Sequence, residues 1–387
     1  MSGDGSKSNT PMKPSRVRMM SIDDGVVRLG PQTLHIDVTN ACNTDCVTCW
    51  DHSPHLTVAR PVAWKRQRAD VQQLRALLDD VQTLGGLEAV IVSGMGEPFT
   101  HPDIYTLLAD IKSRGLHCTV ITNLVAADVE RVLAIGVDAL LVGVQGASEE
   151  SYLAFHPSFT PTHWARLQQQ LERLADEPAI DAKHVQVICG CNADELVAMV
   201  EQAARFCASQ LNFKLASLKD GTEAARLSDV QRATLLSSSI DEALARAEAL
   251  GVNTNLAVFR MQVQAGGELT APIDEIGCFL GTTYSRVTVD GTVLFCCNTE
   301  VVVGQLPPAP GGQPFSSLWR SDAWNGWRER MREGRYLSSC FQCGKLNQNE
   351  KLSRRFRALY GDERWLEVTG RGAGGHATRA TSLRVLP

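Results

Sequence analysis

Between residues 34 and 217, short apolar runs alternate six times with amphipathic ones, and that alternation constrains the fold more than any other feature. The runs LHIDVTN (34–40), EAVIVSG (88–94), CTVITN (118–123), DALLVGVQG (138–146), HVQVICG (184–190) and LNFKLAS (211–217) read as strands. EAVIVSG is continuously apolar, as a strand buried on both faces must be. The stretches between them carry helical spacing: over 68–84, Val71, Leu74, Leu77, Leu78, Val81 and Leu84 fall on one face. DIYTLLADIKSRG, AADVERVLAIG, WARLQQQLERLA and DELVAMVEQAARFCA supply the other helices. Units of roughly 25–35 residues predict right-handed parallel βαβ repeats, which an open six-unit barrel and a doubly wound sheet satisfy equally. A last helix over about 226–250 is expected to close this part at Gly251.

Beyond Gly251 the texture changes. A strand-like AVFRMQV precedes Cys278, followed by short β-like pieces (YSRVTVDGTVLFCC), a Pro/Gly loop (LPPAPGGQP) and a Trp-rich helix (SDAWNGWRERM). This predicts a small α+β appendage held by something other than a large core. The expected organisation is a flexible segment at 1–30, the α/β unit at 31–250, the appendage at 251–367 and a disordered tail at 368–387, the ends being polar or Gly-rich. The net charge of −5 is spread along the chain, which points away from nucleic acid, and no apolar run approaches the ~20 residues that cross a bilayer. The N-terminal basic residues have no apolar stretch behind them, so the expected location is cytoplasmic.

In a reducing compartment twelve cysteines are not expected as disulfides. Cys118, Cys189, Cys191 and Cys207 are scattered, mostly in apolar stretches where cysteine packs as a small hydrophobe. The others cluster. Cys42, Cys46 and Cys49, spaced x3 and x2, sit where the first strand should end, on the rim that carries function in such folds. Three soft thiolates fit a zinc site completed by His52 or His55, or a four-iron cluster with one iron left open. VSGMGEPFTHPD (92–103) puts Gly94, Met95, Gly96, Glu97 and Pro98 at the end of the second strand. The glycines allow close backbone approach and Glu97 can accept from an ammonium. His101 reads as a cap for the following helix. Near the C-terminus, Cys278-x17-Cys296-x43-Cys340-x2-Cys343 has the make-up of a closed four-thiolate site, structural zinc or iron–sulfur, with Cys297 as the alternative at one corner.

The CxxxCxxC with GMGEP one strand later resembles the radical S-adenosylmethionine (radical SAM) superfamily, over about residues 33–217. That resemblance implies a partial (β/α)6 TIM-like barrel. It implies a [4Fe–4S] cluster on Cys42, Cys46 and Cys49, with SAM chelating the fourth iron and residues 94–97 holding its amino group. Asn123, Gln145 and Asn192 occupy rim positions that contact SAM or substrate in the family, although each also fits a cap or turn. The family's aromatic residue before the third cysteine is Thr48 here, with Trp50 beyond it, so the adenine contact is open. The C-terminal set resembles the twitch form of the SPASM appendage, a small α+β iron–sulfur domain, which implies one auxiliary [4Fe–4S] cluster on Cys278, Cys296, Cys340 and Cys343.

The activity so implied is reductive cleavage of SAM to a 5′-deoxyadenosyl radical and hydrogen abstraction from a substrate C–H. Electrons would come from reduced flavodoxin or ferredoxin, and the auxiliary cluster would accept the substrate electron. Arg260 and Lys214 are candidate polar groups near the substrate. A small polar metabolite of aminocyclitol or sugar type is the expected substrate, since only about 33 polar residues precede the first strand, whereas a leader-binding module is larger. Maturation of a ribosomally made peptide (crosslinking, thioether formation or epimerisation) is the alternative. A zinc-stabilised binding protein without turnover is a third reading.

Overall fold

The computed structural model describes residues 13–267 and 273–370. Six strands run parallel in chain order: β1 (Thr33–Asp37), β2 (Ala89–Ser93), β3 (His117–Thr122), β4 (Ala139–Gly143), β5 (Asp181–Ile188) and β6 (Gln210–Leu215). Among these six, each pairs with its neighbours in chain order, as single βα repeats require. The helix Val71–Thr83 shows how local sequence sets an element. Asp70 caps it by accepting from Gln72 N at 2.7 Å, and Leu74, Leu77, Leu78 and Val81 are buried. Leu34, Ile36, Val90, Val92, Val120 and Leu140 share a core with such helices, so the alternate residues of these strands face the concave side.

Flat, a six-stranded sheet would hold β1 and β6 about 24 Å apart at ~4.8 Å per strand. Here the loop after β1 touches the loop after β6: Trp50 Nε1 donates to the Ser217 carbonyl at 2.6 Å and Thr57 N to that of Asp220 at 2.9 Å. The sheet therefore curls into a partial barrel whose C-terminal rim is joined end to end.

Four expectations need correction. The appendage does not lack a large core: Phe295, Phe315, Trp319 and Trp324 share the core of the barrel strands. β7 (Tyr284–Val287) lies parallel beside β1, and β8 (Thr292–Leu294) and β9 (Val302–Gln305) continue the same sheet antiparallel. AVFRMQV is helical within Leu256–Gln264, and its Leu256, Phe259 and Val263 pack with Phe213 and Ile240, so this stretch belongs to the barrel rather than to a unit starting at 251. Period alone misled there, because a short apolar run reads both ways. The 1–30 segment contains the helix Pro14–Asp24, whose Met19 and Ile22 are buried against Phe279, Phe356 and Trp365; residues 1–12 lie outside the described part. The tail expected at 368–387 begins with Val368 buried, and residues 371–387 lie outside the described part.

Candidate active site

The cysteine loop 41–49 is laid directly over the loop that follows β2. Gly96 N donates to the Thr39 carbonyl at 3.2 Å and Glu97 N to that of Ala41 at 2.9 Å. A Cβ on Gly94 would stand 2.2 Å from the Thr39 oxygen, and one on Gly96 2.0 Å from the Ala41 oxygen. The glycines are thus required first by the crossing of two backbones. Val47 anchors the loop from below, buried with Phe155 and Cys189, and its N–H reaches the Phe155 carbonyl at 3.0 Å.

Burial raises all three thiols, Cys42 to about 12 and Cys46 further, and each thiolate would repel its neighbours. Such thiols stay protonated until a cation displaces the protons. Among the described residues, no group of three or more His, Cys, Asp and Glu side chains is arranged to hold a single metal ion. His55 is exposed, and His52 is buried against Trp64. Soft thiolates gathered on one loop are ligands that both zinc and iron–sulfur clusters select.

The rim residues named from the sequence are mostly engaged within the protein. Glu97, buried, accepts from Thr122 Oγ1 and Asn123 N, each at 2.7 Å, and from Phe99 N at 3.1 Å. Burial raises its carboxyl to about 7. Its carboxylate brackets β2 to β3 rather than standing free for an ammonium. Asn192 is buried and fully bonded: Nδ2 donates to the Gln145 and Val187 carbonyls at 3.0 and 2.9 Å, and Oδ1 accepts from Cys189 N at 2.9 Å. It is a cap. Gln145, at φ 62°, accepts from Val187 N through Oε1 at 2.6 Å. Asn123, part-exposed, donates to Asn43 Oδ1 at 2.8 Å and so ties the third rim loop to the cysteine loop. His101 accepts from Asp103 N at 3.1 Å, one residue ahead of the next helix, and its Nε2 bonds the Ala69 carbonyl at 2.9 Å, so it joins two loops and does not cap that helix. Trp50 reaches over to the β6 loop, with Lys219 Nζ 4.5 Å from its ring centre.

Of the two substrate-side candidates, Arg260 is corrected. It lies on the outer helix, ion-paired with Asp241 and 3.4 Å from the Leu236 carbonyl. Lys214 is exposed on the concave side of β6, because its neighbour Phe213 packs against the helices.

The second thiol set converges from three segments: Cys278, the Cys296–Cys297 pair after β8, and Cys340 and Cys343 around the turn Ser338–Gln342. Cys297 sits among the others. Hydrogen bonds from the Cys296 and Cys343 thiols lower its pKa and raise theirs, and Cys278 and Cys340 lie within electrostatic reach. Asn298 N donates to Cys296 Sγ at 3.4 Å and Lys345 N to Cys343 Sγ at 3.3 Å, as Asp51 N does to Cys49 Sγ at 3.5 Å.

Sequence reasoning missed what lies between the two sites. On the concave faces of β1, β2 and β7, buried His35, Asp37, Ser93 and Tyr284 form one network with part-buried Arg286. Ser93 donates to Asp37 Oδ1 at 3.0 Å, which leaves His35 Nε2 as donor to Ser93 and His35 Nδ1 as acceptor from Tyr284 at 2.7 Å. Arg286 pairs with Asp37 Oδ2 through Nε at 2.9 Å and Nη2 at 2.8 Å. The available signal was the polar alternation in LHID: apolar Leu34 and Ile36 turn out to the helices, His35 and Asp37 turn in.

A parallel partial barrel with three thiols on its first rim loop, and a further thiol set on strands added beside β1, is the architecture of a radical SAM enzyme. Residues 36–201 match the radical SAM superfamily model, and residues 278–344 match SPASM, an iron–sulfur cluster-binding domain, so the chain carries both of these domains. Its cofactors are accordingly SAM and [4Fe–4S] clusters, an auxiliary one included.

Among curated proteins it is similar to the AdoMet-dependent heme synthase of Methanosarcina barkeri, 24% identical over 307 residues, covering 75% of this chain and 82% of that protein. Among solved structures it resembles native anSMEcpe with bound AdoMet, at a TM-score of 0.58 and 13% identity over 85% of this chain and 97% of that one. It also resembles Streptococcus suis SuiB bound to its precursor peptide SuiA, at 0.55 and 14% over 89% and 78%. At such identities the structural likenesses establish fold. Among the described residues no helix is long and apolar enough to cross a membrane.

Proposed function

We propose that the protein abstracts a hydrogen atom from a C–H bond of a small polar metabolite and passes the resulting electron to its auxiliary site. Cys42, Cys46 and Cys49 are assigned to the SAM-binding cluster. Cys278, Cys340, Cys343 and one thiol of the Cys296–Cys297 pair are assigned to the auxiliary one. With its cluster, SAM supplies a 5′-deoxyadenosyl radical. The chain supplies position: residues 94–97 and Asn123 hold the rim against the cysteine loop, and the Trp50–Ser217 contact closes the open side. The observation that carries this reading is that the paired strands β1 and β7 of one sheet have one thiol set on the loop after β1 and the other on the segments before β7 and after β8.

A polar substrate is favoured by the concave face of β6. There Asn212 and Lys214 stand opposite Leu211 and Phe213, which pack on the helices. Lys214 is retained as a substrate contact. The second reading, maturation of a peptide, is favoured by the likeness to a structure that holds a precursor peptide. Reduced flavodoxin or ferredoxin is the proposed electron donor, in the cytoplasm.

The test is anaerobic reconstitution, with dithionite as reductant and candidate substrates deuterated at carbinol carbons. Two clusters, 5′-deoxyadenosine and deuterium transferred into it are expected. Colourless protein with about two zincs would overturn the reading in favour of a structural role. Deuterium transfer from peptides but never from polyols would select the second reading.

A further inference from the structure

The concave face of the barrel has an apolar middle. From β2 to β5, the side chains that alternate with the helix-packed ones include Ile91, Ile121, Leu141, Val185 and Val187; each is open in part, Ile121 to 38%. Ligand cavities are commonly built so, with a few polar groups that orient what binds. Arg286 on β7 is such a group. It lies in register with His35 of β1 and reaches toward the rim: Nε and Nη2 are 2.9 and 2.8 Å from Asp37 Oδ2, and Nη2 is 3.7 Å from the Met95 sulfur in the loop after β2. Its other edge is unused. Among the described residues nothing accepts from Nη1, that nitrogen is not sealed off, and the side chain keeps 13% of its surface exposed.

The anchor beneath it is deep. Asp37 is 0% exposed and accepts from Ser93, which in turn receives from His35. An ion pair in such a place is a weak source of stability beside an apolar pair of similar volume. What it does supply is a guanidinium fork fixed before any ligand arrives. Positive charge is also left over on this wall. Against Tyr284, two positions earlier on the same face of β7, the Lys345 ammonium stands 4.5 Å from the ring centre, and no carboxylate among the described residues pairs with it. His35 is neutral, since Nδ1 accepts from Tyr284. Arg286 and Lys345 set against Asp37 therefore leave a single positive charge, which suits a monoanion better than a dianion.

We propose that Arg286 is the specificity-determining residue of this cavity and that the substrate is a small monocarboxylate. Its carboxylate accepts from Nη1, and the carbon chain that carries the C–H to be broken lies along Ile91, Ile121 and Leu141. Charge-assisted contact with a planar fork fixes the direction of the chain as well as its affinity. The inference rests on the reading above that the concave cavity holds the substrate of hydrogen abstraction, and it adds the chemical class of that substrate.

The experiment compares 6-hydroxyhexanoate with 1,6-hexanediol, which share chain length and a carbinol carbon and differ in the carboxylate. Both are titrated by NMR line broadening into the reconstituted holoenzyme with SAM bound, for wild type, R286Q and R286K. Wild type is expected to bind the hydroxy acid at least about tenfold more tightly than the diol, the size of one charge-assisted contact. R286Q should lose that preference and leave diol binding unchanged. R286K should lose most of it too, because one ammonium cannot hold Asp37 and a second carboxylate at once. Iron content shows that the variants are folded and loaded; if R286Q is not, wild type and R286K still decide. Equal affinity of wild type for the two probes, or an unaltered preference in either variant, would overturn the proposal. So would an R286Q that weakens SAM and leaves the hydroxy-acid preference intact, since the anion on Arg286 would then be the carboxylate of SAM. Absence of 5′-deoxyadenosine from the reduced wild type would instead overturn the functional reading, with the carboxylate preference still measurable.

Discussion

The two thiol sites are built in opposite ways. The SAM-side site takes its three cysteines from eight consecutive residues, Cys42 to Cys49, on one loop pinned from above by the β2 loop and from below by Val47. The auxiliary site gathers Cys278, Cys296, Cys297, Cys340 and Cys343 from segments that meet only when β7, β8 and the turn Ser338–Gln342 are in place. A one-loop site depends on local backbone geometry. A three-segment site depends on tertiary assembly, and cluster binding there contributes to folding. The first can keep an open coordination position, while the second has thiols enough to close its own.

The sharpest way to break this contrast is to remove one site and measure the other. The triple variant C42A/C46A/C49A should abolish 5′-deoxyadenosine formation while retaining roughly half of the iron, as expected for one of two four-iron clusters. If the iron falls to zero, the sites are not independent. If SAM cleavage persists, the assignment of the loop is wrong.

Next in size is G96A. Its new Cβ would fall 2.0 Å from the Ala41 carbonyl oxygen, so two backbones must part. A loss of ~1–3 kcal/mol in stability is expected, with at least a tenfold fall in SAM cleavage (an order-of-magnitude expectation, since ~1.4 kcal/mol is tenfold). G326A is the matched control: it lies in the helix Asp322–Arg332 with nothing within 4 Å of the new Cβ, and it should be neutral or slightly stabilising in thermal melts. Equal melting of G96A and G326A would show that the crossing is not tight.

The smallest expected effect is on pH dependence. Burial raises the Glu97 carboxyl from 4.5 to about 7, so the folded state holds this proton more firmly than the unfolded one. The stability Glu97 contributes is fully present below about 4.5 and is lost as pH rises through about 7. The melting temperature of the cluster-free protein should therefore carry a component that falls between pH 5 and 8 (roughly the window of that titration). E97Q should flatten it. An unchanged slope in E97Q would assign the pH dependence to other groups.

Much of the barrel could be read from the chain. Six strands and their helices followed from residue periodicity, since a parallel strand covered on both faces must be apolar throughout, as 88–94 is. The thiol groups were legible because ligand spacing is local. AVFRMQV was not legible, because seven apolar-rich residues fit a strand as well as a helix; the packing of Phe259 and Val263 against Phe213 decided it. Glu97 and Asn192 read as ligand contacts, yet their oxygens and amide group are taken up by neighbouring backbone and side-chain groups that lie 25 to 47 positions away or within the same turn.

By itself the sequence determined the βα repeat and the two sets of soft donors, both consequences of local spacing and residue chemistry, whereas the backbone crossing that requires Gly94 and Gly96 came from the fold. Only the tertiary structure decided that β7 joins the barrel beside β1. That pairing carries Arg286 onto Asp37 and sets the second thiol group at the other end of the same strand pair from the first. Pairing of strands some 250 positions apart depends on which edge is left unpaired once the barrel has formed, and no local pattern encodes it.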